Sequence, residues 1–398
     1  MKKIVLGSAL ILVLLGGSMG LLGWTAGQQS RLGTVRSTES VTDIAETGEQ
    51  DVSEYIEPEY VESLSVDTHG EPGTAGTLAW SLLQDAETRT VYEEIRSACE
   101  EHRDIVELST QDVDVVAAAY QAVGSDCGGM FWVDGYTCTT QSLGGRILSL
   151  YFSPSYTCTD AEREQYQTAV DESVEQYLRS LSASASDYEK VKYVYEVLAC
   201  NVEYDMDSPQ NQNILSVFLY GKSVSNGFAS AAQYLLTLLD VPCITVSGSA
   251  EGDLHAWNLA YIDGEPYYFD ATWGCALSEI TGGCTYAYLN ITGEELEKQH
   301  VIDMRFPLPD CTATDANYYV MQGMYFDAFN EARIGNLLYS CYSSGVQATE
   351  VKFATSEIYQ QAKQTFITNM MIYEYCQNLT QIRYVENPEM QVLTLQWR

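Results

Sequence analysis

The sequence predicts an α+β fold in which one helix packs on an antiparallel sheet. Small and apolar residues recur at helical spacing from Ser225 to Leu239. The dipeptide Asp263-Gly264 joins two runs of alternating, strand-forming residues, as a two-residue hairpin turn does. With 398 residues, 46% of them hydrophobic, the chain is long enough for two or three units with separate cores.

The N-terminal segment carries a membrane-targeting pattern. Lys2 and Lys3 precede an uncharged, mostly apolar run from Ile4 to Trp24, which reaches the roughly 20 residues that span a bilayer. We expect residues 1–24 to form a signal anchor, with the lysines cytoplasmic and the folded part outside the cell membrane. A long, cleaved signal peptide and secretion is the alternative, and it also places the folded part outside the cytoplasm.

The rest of the chain divides into four predicted parts. Eleven acidic residues and no lysine or arginine lie between Ser37 and Glu71, so this stretch is expected to be a disordered tether. Capping and strand patterns follow, including Thr159 with Glu162 as a capping box before a helix. The predicted parts are the tether (25–75), an N-terminal α+β unit (76–185), a core (186–300) and a C-terminal α+β unit (301–398).

Charge and cysteine content limit the classes of partner. The formal charge of −35 repels phosphate backbones, so nucleic acid is not expected as a partner. Zinc-type spacing of cysteine or histidine is absent, and we predict neither a metal nor a cofactor. Outside the cytoplasm some of the eleven cysteines would pair, and Cys275 with Cys284 is the best local pair.

The hairpin places a histidine and an aspartate together. If Asp263-Gly264 is the loop, Ile262 pairs with Glu265, and His255 and Asp270 become diagonal neighbours on one face. Their side chains could then hydrogen-bond, and the carboxylate would fix the imidazole tautomer. A purely structural His–Asp pair on neighbouring strands is the alternative.

Ser225 lies at or near the start of the predicted helix. A cysteine there would be activated by the helix dipole and a nearby imidazolium. A serine gains less, because its hydroxyl needs a well-placed general base. Serine is also a favoured N-cap residue, so Ser225 could simply cap the helix.

Three motifs carry a family resemblance. They are GKSVSNGFA (221–229), HAWN (255–258) and DATW (270–273), in that order along the chain. Residues 186–300 thereby resemble the transglutaminase-like superfamily, in its bacterial extracytoplasmic branch, whose core is shared with papain-type cysteine proteases. The resemblance implies a papain-like core, flanked here by the small α+β units and the N-terminal transmembrane helix.

The resemblance also assigns roles to residues. The family's Cys-His-Asp triad falls on Ser225, His255 and Asp270, so a serine replaces the nucleophilic cysteine. We expect Asn226, Trp257 and Trp273 to contribute to substrate binding, although core packing is the simpler role for the tryptophans. Among the other candidates, Cys275 is the nearest substitute thiol, Cys200 and Cys243 are expected to be buried, and His300 is expected at the surface.

These observations favour an envelope-anchored, catalytically impaired module that binds protein, peptide or cell-wall material. The alternative is an active acyl-transfer enzyme, crosslinking or hydrolysing amides with Ser225 or another thiol. A third possibility is a surface protein in which the fold has only a structural role. The membrane is a partner through the N-terminal helix in the first interpretation.

Overall fold

The computed structural model describes residues 34–35, 75–143, 146–275 and 283–397. The predicted signal anchor and nearly all of the predicted tether lie outside these residues. Within the described part of the chain, no helix has both the length and the apolarity to cross a membrane. Two compact units are present: Leu83–Gln121 with Val133–Thr157, and Pro72–Leu82 with Ala122–Trp132 and Cys158–Arg398. The predicted five-part division remains a prediction.

The first elements of the chain include a four-stranded sheet of the first unit, with strand order β1-β3-β4-β2. Both long strands of this sheet fall where aromatic and β-branched residues predict them. The elements are α1 (Leu78–Leu82), α2 (Ala86–Glu100), α3 (Val113–Asp126), β1 (Thr34–Val35), β2 (Val106–Leu108), β3 (Val133–Leu143) and β4 (Arg146–Tyr156).

The central elements belong to the second unit and include the predicted helix and hairpin. The helices are α4 (Asp160–Leu178), α5 (Asp187–Asn201), a π-helical turn (Ser216–Tyr220), α6 (Ser225–Leu238), α7 (Ala271–Gly274) and α8 (Gly293–Leu296). The strands are β5 (Glu203–Tyr204), β6 (Lys222–Ser223), β7 (Cys243–Ala250), β8 (Asp253–Ile262), β9 (Glu265–Phe269) and β10 (His300–Ile302).

The central sheet is antiparallel, with strand order β10-β7-β8-β9. Ile262 pairs with Glu265, as the hairpin pattern predicts. The turn residues Asp263 and Gly264 have φ of 52° and 86°, the two positive values that a type I′ turn requires. The ladder ends at Phe269, so Asp270 leaves the sheet and starts the short helix α7.

Two helices, α5 and α6, pack against this sheet. Capping boxes start α4 at Thr159 with Glu162, as predicted, and α5 at Ser186 with Glu189. Apolar side chains of α5 and α6 form one buried core with residues of β8 and β9. On α6, the Ala229 carbonyl accepts hydrogen bonds from Asn258 Nδ2 (2.9 Å) and Thr245 Oγ1 (3.5 Å), which fixes the helix on one face of the sheet.

The C-terminal elements form a mixed sheet with order β11-β12-β14-β13. Residues 317–326 form a short helix, which Asn317 caps by accepting from the Tyr319 amide, and then a two-residue strand. The elements are α9 (Tyr318–Met321), β11 (Tyr325–Phe326), α10 (Glu331–Ser343), β12 (Ala348–Phe353), α11 (Ser356–Lys363), a π-helical turn (Gln364–Thr368), α12 (Ile372–Tyr375), β13 (Ile382–Asn387) and β14 (Val392–Trp397).

A buried ion pair joins the C-terminal sheet to the segment before β10. Lys352 Nζ on β12 lies 2.7 Å from Glu295 Oε1 on α8 and also donates to the Met390 carbonyl. Desolvation lowers the pKa of Lys352 despite the nearby carboxylate. The pair holds α8 in place, and β10 begins four residues after α8 ends.

All eleven cysteines are described and are free thiols, so the predicted Cys275–Cys284 disulfide is absent. The Cys284 thiol is instead hydrogen-bonded to the thiol of Cys200. Cys200 is exposed rather than buried, because it lies in the last turn of α5, whereas Cys243 is buried as expected.

Gly248 on β7 lies where neighbouring atoms leave no space for a side chain. A Cβ at this position would meet the Val301 carbonyl oxygen at 2.0 Å and Trp257 Cη2 at 2.7 Å. We therefore expect Gly248→Ala to lower the free energy of unfolding by about 2–3 kcal/mol in urea titrations. Gly124→Ala in α3 is the control: nothing lies within 4 Å of its added Cβ, so we expect no loss or a gain of about 0.5–1 kcal/mol. Equal effects of the two substitutions would contradict the crowding described for Gly248.

Candidate active site

The predicted histidine and aspartate are in direct contact. His255 Nε2 lies 2.7 Å from Asp270 Oδ2. Both side chains are largely buried, with 8% of the His255 side chain and 1% of the Asp270 side chain exposed. A carboxylate can only accept, so Nε2 carries the proton. The lone pair of a neutral His255 is then on Nδ1, which is the nitrogen that can take a proton from a reacting group.

Asp270 is held by four hydrogen bonds. Oδ1 accepts from the backbone amides of Thr272 (3.0 Å) and Trp273 (3.2 Å), so Asp270 is the N-cap of α7. Oδ2 accepts from His255 and also from His300 Nε2, which lies 3.1 Å away. Burial alone would raise the pKa of Asp270, but the charge and hydrogen bond of His255, together with the hydrogen bond of His300, outweigh it and lower the pKa below its usual range.

His300 was expected at the surface and is instead buried, with 1% of its side chain exposed. β10 is the edge strand beside β7, so the burial of His300 comes from the face that its side chain shares with His255 and not from a central place in the sheet. Ile302 and His255 both pair with Gly248, so His300 and His255 project from the same face of the sheet. The small residues Gly248 and Ala250 lie between them and leave room for the two rings, whose centroids are 5.6 Å apart.

Two tryptophans enclose the histidines. Trp257 is almost fully buried and meets His300 edge-to-face with centroids 4.9 Å apart. Trp273 lies 4.5 Å from His300 and 5.8 Å from His255, and it is partly exposed. Trp257 therefore supports the imidazoles from inside the core, whereas contact of either tryptophan with a bound molecule stays a prediction.

Ser225 and Asn226 lie at the start of α6, which packs against β8 and against α7. Val224 is the N-cap residue and Ser225 is the first helical residue, so Ser225 does not cap the helix as the alternative had it. Ser225 is buried, and among the described contacts its hydroxyl makes no hydrogen bond to His255. Asn226 Nδ2 donates to the Gln212 carbonyl at 2.6 Å, so this donor is occupied.

Cys275 is not poised to substitute for a nucleophile at position 225. Its thiol donates to the Thr272 carbonyl, with the two atoms 2.9 Å apart. Burial, followed by the charge of Asp270, raises the pKa of Cys275 and disfavours the thiolate.

His255, Asp270 and His300 are also the residue types that bind transition metals, and their ligand atoms lie within 4.8 Å of one another. However, the four hydrogen bonds to Asp270 use the roughly four acceptor positions of a carboxylate. Both imidazole nitrogens that face Asp270 are protonated in this arrangement, whereas a metal ligand needs a bare nitrogen. The geometry therefore fits a hydrogen-bonded cluster better than a metal centre.

The lowered pKa of Asp270 predicts acid sensitivity. A carboxyl group whose folded-state pKa lies below its unfolded value of 3.8 stabilises the fold above that pH and loses this contribution as the pH falls further. We expect the free energy of unfolding to decline below about pH 4. In Asp270→Asn, which cannot titrate at this position, the decline should be shallower. Parallel slopes for the two proteins in urea titrations between pH 2.5 and 6 would show that other carboxyl groups cause the loss.

Comparisons with known proteins match the segment that carries the predicted site. Residues 175–271 match the profile of the Transglutaminase-like superfamily, a span that includes Ser225, His255 and Asp270. Kyphoscoliosis peptidase of Mus musculus is 26% identical over 119 residues, covering 25% of this chain and 18% of that protein. Its Homo sapiens counterpart is 27% identical over 127 residues, covering 27% and 19%. The chain thus spans less than a fifth of the length of these relatives.

A crystal structure of a TGase aligns with 35% of this chain and 44% of its own, at 16% identity and a TM-score of 0.26. Residues 175–271 are thus similar to the Transglutaminase-like superfamily, as the motifs predicted, and they lie in a mixed helix-and-sheet fold.

Proposed function

We propose that this domain binds protein or peptide chains, including cell-wall peptides, in an acyl-transfer cleft whose turnover is impaired. The observation that carries the proposal is the state of Ser225. Its hydroxyl is buried at the start of α6 and is not hydrogen-bonded to His255, although the His255–Asp270 pair is formed.

The chemistry of the two possible nucleophiles supports the same conclusion. A cysteine at a helix start transfers its proton to a nearby histidine before attack, and the resulting thiolate forms an ion pair with the imidazolium. A serine keeps its proton until attack, so the hydroxyl must already be aligned with the base. Because Ser225 and His255 are not hydrogen-bonded, the Ser225 hydroxyl is not aligned with the imidazole for attack.

The proposed location follows from the N-terminal pattern. We propose that residues 1–24 anchor the chain in the cell membrane and that the acidic segment 25–75 holds the folded part outside. The high negative charge would keep such a tether extended and soluble.

A second candidate is an active acyl-transfer enzyme that uses Ser225 for amide hydrolysis or crosslinking. The observation that favours it is the 2.7 Å contact between His255 Nε2 and Asp270 Oδ2, which orients a general base. Substrate binding could bring Ser225 into line with His255, because catalytic hydrogen bonds often tighten only in the complex.

One assay separates the two candidates. Casein and a dansyl-labelled primary amine are incubated with the parent protein and with His255→Ala, and a labelled glutamine-containing casein peptide is titrated against both by fluorescence anisotropy. We expect saturable binding of the peptide by the parent, with amine incorporation no higher than in His255→Ala. Incorporation that disappears in His255→Ala would establish the enzyme instead, and absence of peptide binding would contradict the binding role.

A further inference from the structure

His300 is a buried imidazole that the triad does not require. Its Nε2 lies 3.1 Å from the same carboxylate oxygen, Asp270 Oδ2, that accepts from His255 at 2.7 Å. We propose that His300 is a positioning residue: it stays a neutral Nε2–H donor and limits how strongly Asp270 supports a protonated His255. The inference rests on the proposed role of His255 as the base of the cleft.

The surroundings of His300 fix its tautomer. Asp270 Oδ2 needs a proton on Nε2, because the carboxylate can only accept. The other ring nitrogen, Nδ1, is buried and has no hydrogen-bond partner among the described residues. A second proton there would create a buried N–H without an acceptor on a charged ring, which costs more than leaving a lone pair unused. His300 is therefore held as the neutral Nε2–H form.

The shared oxygen couples His300 to His255. A carboxylate oxygen that already accepts one N–H is a weaker partner for a second one, because its negative charge is divided between the two donors. The orienting hydrogen bond remains, so the ring of His255 is still aligned. However, the imidazolium form of His255 gains less from Asp270 than it would if Asp270 had a single imidazole partner.

Few other groups near the pair change charge near neutral pH. Asp270 and Tyr288 face the imidazoles, and Tyr195 and Cys275 interact electrostatically with Asp270. Glu251 and Glu389 act on Tyr288. Burial raises the pKa of Tyr288 to about 12 and also raises the pKa of Tyr195 and Cys275. Asp270 stays ionised between pH 6 and 8 because its pKa is lowered, so NMR signals of the two imidazoles report on the rings themselves in this range.

The tautomer can be read directly on the unmodified protein. The chain has only four histidines, so long-range nitrogen–proton NMR spectra of the ¹⁵N-labelled protein can be assigned with His→Gln variants. We expect His300 to show a protonated Nε2 and a bare Nδ1 throughout pH 6–8. A protonated Nδ1, or a His300 ring that gains a proton in this range, would overturn the proposal, whether or not the cleft binds any substrate.

The coupling is tested with a thiol reporter at position 225. The rate of iodoacetamide alkylation is measured against pH for Ser225→Cys alone and combined with His300→Phe or His300→Gln. Phenylalanine keeps a ring between Trp257 and Trp273 but removes the donor, whereas the glutamine amide keeps a donor near the position of Nε2. The thiolate is held by protonated His255, so a stronger Asp270–His255 bond should favour it.

We expect His300→Phe to shift the midpoint of the alkylation profile downward by about half to one pH unit. His300→Gln should stay close to the Ser225→Cys parent. An unchanged or higher midpoint in His300→Phe, or the same shift in both variants, would overturn the coupling. Failure of His255 as the base of the cleft is distinct, because it would appear as a missing His255 dependence of alkylation in Ser225→Cys itself, while the NMR result would stand.

Discussion

Ser225→Cys is expected to create a reactive thiolate that depends on His255. At pH 6 an ordinary cysteine is only about 0.3% ionised, whereas a cysteine paired with an imidazolium is ionised almost completely. Part of this gain is lost because a thiolate of lower basicity is a weaker nucleophile. We therefore expect iodoacetamide to alkylate position 225 about 10- to 100-fold faster in Ser225→Cys than in the Ser225→Cys, His255→Ala double variant at pH 6.

The native cysteines provide the internal control for that measurement. Peptide mapping separates position 225 from Cys200, which is exposed and whose pKa is lowered to about 7 by the hydrogen bond with Cys284. The labelling rate of Cys200 should be the same with and without His255, because neither Cys200 nor Cys284 contacts the imidazole within the described residues. Equal rates at position 225 in the single and double variants would refute the placement of Ser225 at the nucleophile position.

Asp270→Ala is expected to have the largest effect on stability. The substitution removes the acceptor for two backbone amides and two buried imidazoles at once. A buried donor that loses its partner costs about 1–3 kcal/mol, and some of this cost is relieved by tautomer changes and entering water. We expect a net loss of roughly 3–5 kcal/mol in the free energy of unfolding, measured by urea titration at pH 7.

Asp270→Asn is the matched variant for this prediction. Its amide oxygen can still accept from the Thr272 and Trp273 amides and keep the N-cap of α7. Only the side facing the histidines is changed, so we expect a smaller loss of about 1–2 kcal/mol. If alanine and asparagine cost the same, the cap bonds contribute little and the stability attributed to Asp270 comes from the histidines alone.

Local patterns were sufficient to predict the central hairpin and the closeness of His255 and Asp270, but not the geometry of the pair: Asp270 meets His255 as the N-cap of α7 and not as a diagonal neighbour on a paired strand. The turn Asp263-Gly264 fixes the register, and the register fixes which side chains share a face. The start of α6 was predicted within one residue, although the N-cap is Val224 and not Ser225. These features depend on residues close together in sequence, where turn and capping rules apply.

His300 could not be placed in the same way. Its position depends on β10 pairing with β7, and nothing in the three residues of β10 specifies that partner. The available sequence signal for His300 was indirect. Gly248 and Ala250 leave part of one face of β7 without large side chains, and this gap can be filled by rings from the neighbouring strands. The Cys275–Cys284 prediction was wrong for a related reason, since proximity in sequence does not show which thiols meet in space.

The distance between the sulfur at position 225 and His255 Nδ1, in a crystal structure of Ser225→Cys, tests the site most directly. The proposed cleft requires the helix start to face the imidazole nitrogen that Asp270 leaves free. We predict a separation of about 3–4 Å, the range of a thiolate–imidazolium contact. A sulfur more than about 7 Å from Nδ1, with the His255–Asp270 bond intact, would contradict the account, because no proton could then pass between the two residues.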